Sequence, residues 1–483
     1  MKLKDLTAGL DITAVCADLE MEITGVTYDS RKVRPGNVFV AITGFATDGN
    51  LYVQKAMAQG AVAVITAKPQ PEGVPYVQVK ADRIALAQVG ANYYDHPGEA
   101  MKVIGITGTN GKTSSTLLLK HVIEQTLGAK VGLMGTMENM IGQERIPTER
   151  TTPESLDLQA LLGQMRDGGC TYAIMEVSSH AIALERVGGL TYEVAAFTNL
   201  TEDHLDFHET MENYCDTKAQ IFSRCRNAVV NADDPWAKRI CKNGCCEPLY
   251  TSAREKTGLY AENVTLLSDG VRFTAVHEDS RVTVEVGIPG KFTVYNVLTV
   301  LGCALKLGIS LEAAAKALQT AQGVKGRVEV VPTPGKPYTV LIDYAHTPDG
   351  LENVLSSVRG FCQGRLIAVF GCGGDRDPMK RPIMGRIGAE LADIAVITSD
   401  NPRTEEPGKI IADILAGVDR EKYSPIVIEN RVEAIRYAMD IGENRDIIIL
   451  AGKGHETYQE ICGVKYPMDE RQIVAEYLEK TRK

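Results

Sequence analysis

The sequence predicts an α/β protein of three domains, and three observations lead to that prediction. The chain has 483 residues, and at roughly 150 residues for each domain this length suggests about three domains. Short apolar runs alternate with segments whose apolar residues recur at helical spacing, as in parallel sheets covered by helices. A glycine-rich segment follows one of these runs, where such sheets bind nucleotides. We expect domains at residues 1–98, 99–326 and 327–483.

The composition is that of an ordinary globular protein. Hydrophobic residues make up 44% of the chain and charged residues 24%, and 52 basic against 62 acidic side chains give a net charge of −10. Because the sequence has no dense run of Lys or Arg, nucleic-acid binding lacks electrostatic support. No apolar stretch reaches membrane-spanning length, and the N-terminus has no signal-peptide apolar core. We expect a cytoplasmic protein without nucleic-acid partners or membrane insertion.

Apolar runs predict the strands of the first two regions. The first region ends near the turn-prone His96-Pro97-Gly98, and the second extends to a linker at Gly323–Gly326. Helical patterns lie between the apolar runs of the second region, as an alternating α/β order requires. The runs cover residues 38–42, 61–66, 76–79, 103–106, 172–177, 194–199 and 228–232.

The segment 103–113, VIGITGTNGKT, is the most informative part of the chain. Its glycines let backbone N–H groups converge on phosphate oxygens, and the helix that follows presents its positive end to them. Lys112 is placed to reach the β/γ-phosphates, and the Thr113 hydroxyl to bind Mg²⁺. The common pattern has glycine five positions before Gly111, where this chain has Ile106. The segment predicts a nucleoside triphosphate site formed by Gly108, Thr109, Asn110, Gly111, Lys112 and Thr113.

Polar residues follow other strands at the same predicted sheet edge. Glu176 and His204 could hold magnesium that bridges nucleotide phosphates. His204 and His208 at i, i+4 could instead suggest zinc, but no HExxH pattern is present, and we expect a structural role for His208. On the residues alone, Glu176 could also be a surface carboxylate, Lys218 a solvated helix lysine and Asn296 a helix-start residue.

The third region has the most regular pattern. Four apolar runs, which begin at residues 340, 366, 394 and 446, each end in a polar cluster. In a parallel sheet such clusters gather at one edge, where ligands bind. Turn chemistry explains their Gly, Asp, Asn and Pro, but not their His, Arg and Glu. A dinucleotide is disfavoured because Arg376 occupies the last glycine position of a GxGxxG pattern. The clusters expected to converge are those around Asp343, Arg376, Arg403 and His455.

The chain has 11 cysteines, an odd number without zinc-site spacing. The densest group, Cys241, Cys245 and Cys246, has no second pair nearby in the sequence. We interpret these residues as small thiols in a reducing compartment.

Nine motifs occur in order along the chain: GITGTNGKT, MEVSSH, NLTEDHLDFH, YCDTKAQIF, FTVYNVLTVLG, GRVE, DYAHTPDGL, SDNPR and AGKGHE. Together they resemble the motifs of the Mur ligase family. The resemblance extends from YDSR (28–31) to AGKGHE (451–456), nearly the whole chain.

The resemblance implies an N-terminal UDP-binding α/β domain, a central P-loop parallel-sheet ATPase domain and a C-terminal Rossmann-like α/β domain. It implies a monomeric ligase that uses ATP and Mg²⁺ to add meso-diaminopimelate to UDP-N-acetylmuramoyl-L-alanyl-D-glutamate through an acyl phosphate, in peptidoglycan synthesis. The alternatives are an L-lysine-adding ligase, a folylpolyglutamate-synthase-like ligase and a non-catalytic ATP-binding regulator.

The resemblance also implies roles for individual residues. Lys112, Lys218 and His204 would be catalytic, with Lys218 carbamylated to N6-carboxylysine, and Thr113, Glu176 and His204 would bind the metal. Arg150 and Leu184 depart from the family's common residues near the sugar–peptide site. The residues implied to reach ATP from other segments are Asn296, Arg327, Asp343 and His346. The residues implied to bind the UDP-muramoyl-dipeptide are Ser30, residues within 41–49, Thr151, Thr152, Ser178 and Arg186.

For the amino acid, the motif Asp400-Asn401-Pro402-Arg403 resembles that of ligases that add meso-diaminopimelate. Diaminopimelate is similar to lysine with one more carboxylate, which a guanidinium fork such as that of Arg403 can bind in a bidentate manner. Glu456 would suit the distal ammonium. The residues implied to bind diaminopimelate are Arg376, Asp400, Asn401, Pro402, Arg403, Gly452 and Glu456.

Overall fold

The computed structural model describes residues 1–44, 47–148 and 150–481. The chain divides into two compact units, one formed by Met1–Tyr260 with Asn296–Ala314 and the other by Ala261–Tyr295 with Ala315–Lys483. The predicted boundaries at residues 98 and 326 stay predictions. The UDP-binding prediction for 41–49 includes Phe45 and Ala46, which lie outside the described residues. Within the described ranges, no helix is both long and apolar enough to cross a bilayer.

The first sheet of the first unit has the strand order β1-β5-β4-β3-β2. Its strands are parallel except for β1, which pairs antiparallel with β5. Apolar side chains on both faces form two buried clusters against the helices. The elements are α1 (Leu3–Leu6), β1 (Ile12–Val15), β2 (Gly25–Thr27), β3 (Asn37–Ala41), α2 (Val53–Ala58), β4 (Ala63–Thr66), β5 (Tyr76–Val79) and α3 (Asp82–Tyr93).

The second sheet of this unit carries the glycine-rich loop on a central strand. The elements of the middle of the chain are β6 (Lys102–Thr107), α4 (Lys112–Leu127), β7 (Val131–Met134), β8 (Asn139–Ile141), β9 (Glu144–Ile146), α5 (Ser155–Asp167), β10 (Tyr172–Glu176), α6 (Ser179–Ala183), β11 (Tyr192–Phe197), α7 (Leu205–His208), α8 (Met211–Ala219), β12 (Cys225–Asn231), α9 (Ala237–Ile240), β13 (Pro248–Ser252), β14 (Leu259–Leu267), β15 (Gly270–His277), β16 (Ser280–Val286), α10 (Lys291–Lys306) and α11 (Leu311–Leu318).

In this sheet the strands follow one another in the order β13-β12-β11-β6-β10-β7-β8-β9. The strands from β13 to β7 are parallel, and β8 and β9 add antiparallel pairs at the edge. The carboxyl ends of β6, β10 and β11 therefore lie side by side, and this arrangement places the loops after these strands at one edge.

The sheet of the second unit has the order β17-β18-β22-β19-β20-β21, parallel except for β17. Buried apolar clusters cover both faces, which explains why its strands are continuous apolar runs in the sequence. The elements are β17 (Glu329–Val331), β18 (Thr339–Asp343), α12 (Pro348–Arg359), β19 (Leu366–Phe370), α13 (Lys380–Leu391), β20 (Ile394–Ile397), α14 (Pro407–Leu415), β21 (Ile426–Val427), α15 (Arg431–Asp440), β22 (Ile447–Ala451), β23 (Tyr458–Ile461), β24 (Val464–Pro467) and α16 (Glu470–Thr481).

Candidate active site

The glycine-rich loop joins β6 to α4 and requires glycine at two positions. Gly108 has a φ of +147° and Gly111 a φ of +84°, conformations that glycine adopts without penalty. A Cβ on Gly108 would lie 1.9 Å from Thr198 Oγ1, and one on Gly111 would lie 2.3 Å from Asn296 Oδ1. Ile106, by contrast, is an ordinary residue of β6. The departure from the common glycine pattern therefore falls where the backbone does not need glycine.

Residues at the end of β11 hold the loop in place. Thr109 N donates to Asn199 O at 2.8 Å, and Asn110 N donates to Asn199 Oδ1 at 2.9 Å. Thr198 Oγ1 donates to Asn110 O at 2.6 Å. Our sequence analysis did not identify Thr198 and Asn199 as site residues. The sequence feature that could have identified them is that they form a polar pair directly after the apolar run of β11.

Two lysine side chains meet at one carbonyl oxygen of this loop. Lys112 Nζ donates to Gly108 O at 3.0 Å and to Thr109 O at 2.8 Å, and Lys218 Nζ donates to Gly108 O at 3.1 Å. Lys218 is 1% exposed, so the alternative of a solvated helix lysine is wrong. Burial lowers the pKa of both ammonium groups, and the charge of Lys112 lowers that of Lys218 further, well below its usual value. Burial and the neighbouring charge thus make the uncharged amine of Lys218 easier to reach than that of a solvated lysine.

Glu176, the last residue of β10, accepts hydrogen bonds from two threonines. Thr113 Oγ1 lies 2.9 and 3.0 Å from its two carboxylate oxygens, Thr136 N donates to Oε1 at 2.9 Å, and Thr136 Oγ1 donates to Oε2 at 3.0 Å. The side chain is 1% exposed, so the alternative of a surface carboxylate is wrong. Adjacent hydroxyl and carboxylate oxygens suit a small hard cation that takes its other ligands from phosphates and water. Thr136 was not identified from the sequence, although it closely follows the apolar run of β7.

The histidines near this edge differ in their surroundings. The half-exposed His204 has a φ of +53°, and its Nε2 lies 3.4 Å from Asp203 Oδ2. His208 is buried, with Nε2 2.9 Å from Ser179 Oγ. Burial and nearby positive charges lower the pKa of His208 to about 4. Within the described part of the chain, no group of three His, Cys, Asp or Glu ligand atoms converges here, and zinc at these histidines has no support.

The predicted sugar–peptide residues of the middle region form one cluster. Thr152, 1% exposed, receives the Ser178 N–H on its hydroxyl at 3.3 Å, and Arg186 Nη1 donates to its carbonyl oxygen at 3.4 Å. Arg186 Nε lies 3.5 Å from a carboxylate oxygen of Glu154. Burial lowers the pKa of Arg186. The cluster thus holds a partly desolvated guanidinium beside small hydroxyl groups.

Glu176 connects this cluster to the glycine-rich loop. The Thr152 hydroxyl donates to the Glu176 carbonyl oxygen at 2.8 Å. Thr136 Oγ1, which donates to the carboxylate of the same residue, also lies 3.0 Å from Thr151 Oγ1 and can accept a hydrogen bond from it. The predicted uracil residue Ser30 is buried in the turn after β2.

The nucleotide residues predicted in the second unit gather after β18. Asp343 accepts two backbone N–H groups, each at 2.8 Å, one of them from Val328. Burial raises the pKa of Asp343, although these N–H groups oppose the shift. The Arg327 guanidinium lies 5.7 Å from the centre of the Tyr344 ring, and His346 Nδ1 lies 2.8 Å from Tyr344 O.

The polar clusters of the third region converge, as predicted. Gly452 N donates to Asp343 O at 3.0 Å, and the rings of Tyr344 and His455 lie 5.0 Å apart. Gly452 has a φ of +118°, and a Cβ there would lie 2.6 Å from Asp400 Oδ2. That oxygen is buried and has no hydrogen-bond partner among the described residues. The site therefore contains a buried carboxylate oxygen whose hydrogen-bonding capacity is not used by the described residues.

Arg376 and Arg403 both lie near the Cβ position of one glycine, Gly373. A Cβ on Gly373 would lie 2.9 Å from Arg403 Nη1 and 4.0 Å from Arg376 Cγ. Arg403 has a φ of +51°, and its Nη1 donates to Gly374 O at 2.7 Å. Its Nε lies 3.4 Å from Glu460 Oε2. These contacts leave Nη2 of Arg403 available to an anionic ligand.

Lys453 was missed in the sequence and holds two of the predicted residues. Its side chain is 0% exposed, and Nζ donates to Asn401 Oδ1 at 2.7 Å and to Glu456 Oε2 at 2.9 Å. Asn401 Nδ2 donates to the same Glu456 oxygen at 2.9 Å. Burial alone would raise the pKa of Glu456, but these hydrogen bonds hold it below its usual value. Glu456 is therefore an anion placed beside the buried Asn401 and Pro402.

Comparison with known proteins gives one family along the chain. Residues 22–101 match the Mur ligase family catalytic domain, 106–304 the Mur ligase middle domain and 326–454 the Mur ligase glutamate ligase domain. These matches confirm the predicted series of three α/β domains.

Individual relatives are similar over almost their full length. UDP-N-acetylmuramoyl-L-alanyl-D-glutamate–2,6-diaminopimelate ligases of Clostridium botulinum and Caldanaerobacter subterraneus are each 46% identical; the first match covers 95% of this chain and 96% of the relative, and the second covers all of both. A solved structure of a ligase with the same name is 31% identical, with a TM-score of 0.80, over 100% of this chain and 99% of that one.

Proposed function

This chain belongs to the Mur ligase family, and from that premise we propose that it adds meso-2,6-diaminopimelate to UDP-N-acetylmuramoyl-L-alanyl-D-glutamate in peptidoglycan synthesis. The observation that carries the proposal is the cluster that follows β19 and β20, where Arg376 and Arg403 both lie near the Cβ position of Gly373 and an anionic Glu456 lies beside Asn401. A second carboxylate and a distal ammonium are the two groups by which diaminopimelate would be recognised there.

The reaction we propose is amide formation driven by ATP. The carboxylate of the substrate's D-glutamate attacks the γ-phosphorus, and ADP leaves. The amine of diaminopimelate then attacks the carbonyl of the acyl phosphate, loses a proton and expels phosphate. Because both reactants of the first step are anions, their repulsion must be offset by nearby positive charge.

Lys112 is our candidate for that positive charge. Lys112 is the first residue of α4, and its ammonium group donates hydrogen bonds to the carbonyl oxygens of Gly108 and Thr109. The N–H groups of Gly108–Thr113 and the α4 N-terminus would bind the phosphates. We propose that Asn296, Arg327, Asp343 and His346 also contact the nucleotide.

Mg²⁺ is a further part of the proposal, and the residues present fit it. The Thr113 hydroxyl and Glu176 carboxylate are adjacent and buried at the loop, with His204 as a third candidate ligand. When bound, Mg²⁺ would neutralise phosphate charge. Thr136 would hold the Glu176 carboxylate in position.

Lys218 is the residue for which we propose a covalent modification. An uncharged amine adds to CO₂ and releases a proton, giving an anionic carbamate, whereas an ammonium group cannot react. Burial and the charge of Lys112 lower the pKa of Lys218, which favours the reactive form. Mass spectrometry of intact protein in bicarbonate buffer, with Lys218→Arg as control, should show one added CO₂ only in the wild type.

The acceptor substrate would lie on the other side of Glu176. We propose that Thr151, Thr152, Ser178 and Arg186 contact the muramoyl-dipeptide and that Ser30 contacts the uracil. Glu176 hydrogen bonds to Thr152 through its own carbonyl, and this contact would keep the acceptor carboxylate near the phosphates. Positioning of this kind contributes much of the rate in a ligase.

Phosphate release measured with substrates omitted in turn tests the proposed function. We expect turnover only with ATP, the UDP-muramoyl-dipeptide and meso-diaminopimelate together, and little with L-lysine. Equal turnover with L-lysine would contradict the role of Arg403, turnover with a folate and glutamate would indicate the folylpolyglutamate alternative, and ATP binding without turnover would indicate a regulator. We predict that the protein is a monomer and that it works in the cytoplasm, where ATP is present. Light scattering would test the oligomeric state.

A further inference from the structure

Three cysteines, one at the start of β12 and an adjacent pair about 20 residues later, converge at the end of β12 opposite its carboxyl edge. The Sγ atoms of Cys225 and Cys246 lie 3.7 Å apart, and the Sγ atoms of Cys225, Cys245 and Cys246 all lie within 4.8 Å of one another. Within the described residues this is the one group of three His, Cys, Asp or Glu ligand atoms that could hold a metal ion. None of the three residues takes part in the proposed ligase site.

The backbone around the thiols is held in place by several contacts. Cys225 follows the 3-10 turn Gln220–Arg224 and begins β12. Cys245 N donates to Phe222 O at 3.0 Å, and Cys245 Sγ lies 3.2 Å from the same oxygen and 2.7 Å from Cys225 O. Cys225 thus lies where a turn meets a strand, and these contacts hold the loop between α9 and β13, which carries Cys245 and Cys246, against it.

The spacing of the sulfur atoms fits one thiophilic ion. Zn²⁺ bonds to thiolate sulfur at ~2.3 Å, so sulfurs around one tetrahedral ion lie about 3.7 Å apart. The distance between Cys225 and Cys246 has this value, and small rotations of the exposed Cys245 side chain would bring its sulfur to the same spacing. Soft thiolates select Zn²⁺ and Cu⁺ over Mg²⁺, so the site would not compete for the magnesium proposed at Glu176.

An entry path to the thiols is present. Cys225 and Cys245 line a cavity of about 500 Å³, together with Arg224 and Arg226. Both arginines also pair with carboxylates, Arg224 with Glu185 at 3.8 Å and Arg226 with Glu193 at 3.4 Å, so the surroundings of the site are close to charge-balanced. Burial first, and the neighbouring thiols second, raise the pKa of Cys225, and burial raises that of Cys246. These shifts favour the protonated thiols of Cys225 and Cys246 when no cation is bound.

We propose that Cys225, Cys245 and Cys246 bind one thiophilic d¹⁰ cation, Zn²⁺ or Cu⁺, with a further coordination position open to the cavity. On binding, the thiols release their protons to water. The ion would join the turn after α8 to residues 245–246. Since α8 carries Lys218, the expected role is structural, fixing the end of the segment that holds this lysine in place.

Metal titration of the reduced, metal-free full chain tests the proposal. Co²⁺ serves as the spectroscopic probe for Zn²⁺, and competition with chromophoric chelators gives the affinities for Zn²⁺ and for Cu⁺ separately. We expect one equivalent bound, with thiolate-to-cobalt charge-transfer absorption and a higher midpoint of thermal unfolding. Loss of an outer partner costs about 10- to 100-fold in metal affinity, so Cys245→Ser, which loses a direct ligand, should weaken binding by at least about 100-fold.

The controls separate this site from general thiol binding. Cys245 is exposed, so its replacement should leave the fold intact, and far-UV circular dichroism would check this. Cys16→Ser removes an exposed thiol elsewhere in the same unit and should leave affinity and stoichiometry unchanged. Equal affinity in Cys245→Ser, absence of charge-transfer absorption, or a stoichiometry that falls with Cys16→Ser would each overturn the proposal. A Cys225–Cys246 disulfide whose reduced form binds no metal would also overturn it.

Discussion

Arg403 gives the sharpest test of substrate choice. Replacing it with alanine should lower turnover of meso-diaminopimelate and leave the slow reaction of L-lysine nearly unchanged, because L-lysine lacks the second carboxylate. Arg403 Nη1 is already engaged with Gly374 O, and Nε lies near Glu460, so the substrate would use Nη2. Arg403→Lys keeps the charge but loses the planar fork.

The magnitude follows from the hydrogen bonds that the fork would make. A hydrogen bond to a charged group contributes about 1.5–3 kcal/mol, and each 1.4 kcal/mol is a factor of ten. Arg403→Ala should therefore reduce kcat/KM for meso-diaminopimelate by about 10- to 150-fold. Arg403→Lys should have an intermediate value, since its ammonium keeps the attraction to the second carboxylate but not the directed Nη2 hydrogen bond.

Phosphate release at varied amino-acid concentration measures these constants for both substrates. The exposed Arg436, whose nearest carboxylate lies 3.7 Å away, supplies the matched control Arg436→Ala in the same unit. A fall in kcat/KM that is equal for diaminopimelate and lysine would refute the reasoning, because it would show that Arg403 acts through folding or the common amino-acid group. Thermal unfolding of each variant would check the first of these.

Three further predictions concern the loop, pH and a buried ion pair. Gly108→Ala should abolish ATP binding in calorimetry, because its Cβ would lie 1.9 Å from Thr198 Oγ1. As the control, a Cβ on Gly128 would have open space around it, so Gly128→Ala should keep ATP binding and lower the free energy of unfolding by about 1 kcal/mol. The folded-state pKa of His208, about 4, is below the unfolded value of ~6.5. The contribution of neutral His208 to the free energy of unfolding should therefore be complete above pH ~6.5 and fall by up to about 3 kcal/mol as the pH drops to 4. Urea unfolding should show this loss in the wild type and not in His208→Gln. Glu470→Ala should lower the free energy of unfolding by about 3–5 kcal/mol, because it leaves a fully buried Arg431 without its carboxylate; a loss below 1 kcal/mol in urea unfolding would contradict this.

Much of the fold could be predicted because its parallel strands are buried on both faces. The predicted strand at 76–79 has the observed bounds of β5, and the apolar runs at 340, 366, 394 and 446 begin within one residue of β18, β19, β20 and β22. The polar clusters after these runs converge because parallel strands place their carboxyl ends at one edge. The antiparallel additions β8, β9 and β17 are three residues each, too short for a periodic signal.

The residues that sequence reasoning missed depend on contacts between distant segments. Lys453 resembles a solvated loop lysine, and only the fold brings it to Asn401, 52 residues away. Thr136 contacts Glu176 across 40 residues. The Sγ atoms of Cys225 and Cys246 lie close together although most of β12 and all of α9 separate the two residues in the sequence. Each pairing depends on tertiary packing, which local composition does not encode.

The position of Glu176 has a consequence for inhibition. Its carboxylate contacts Thr113 of the nucleotide loop, and its carbonyl contacts Thr152 of the predicted acceptor cluster. In an inhibitor that contacts both Thr113 and Thr152, the position of Glu176 between them would set the length of the linker that joins the two contacting groups. A bacterium that escaped such a compound by changing position 176 would disturb both subsites at once, so the routes to resistance there would be few.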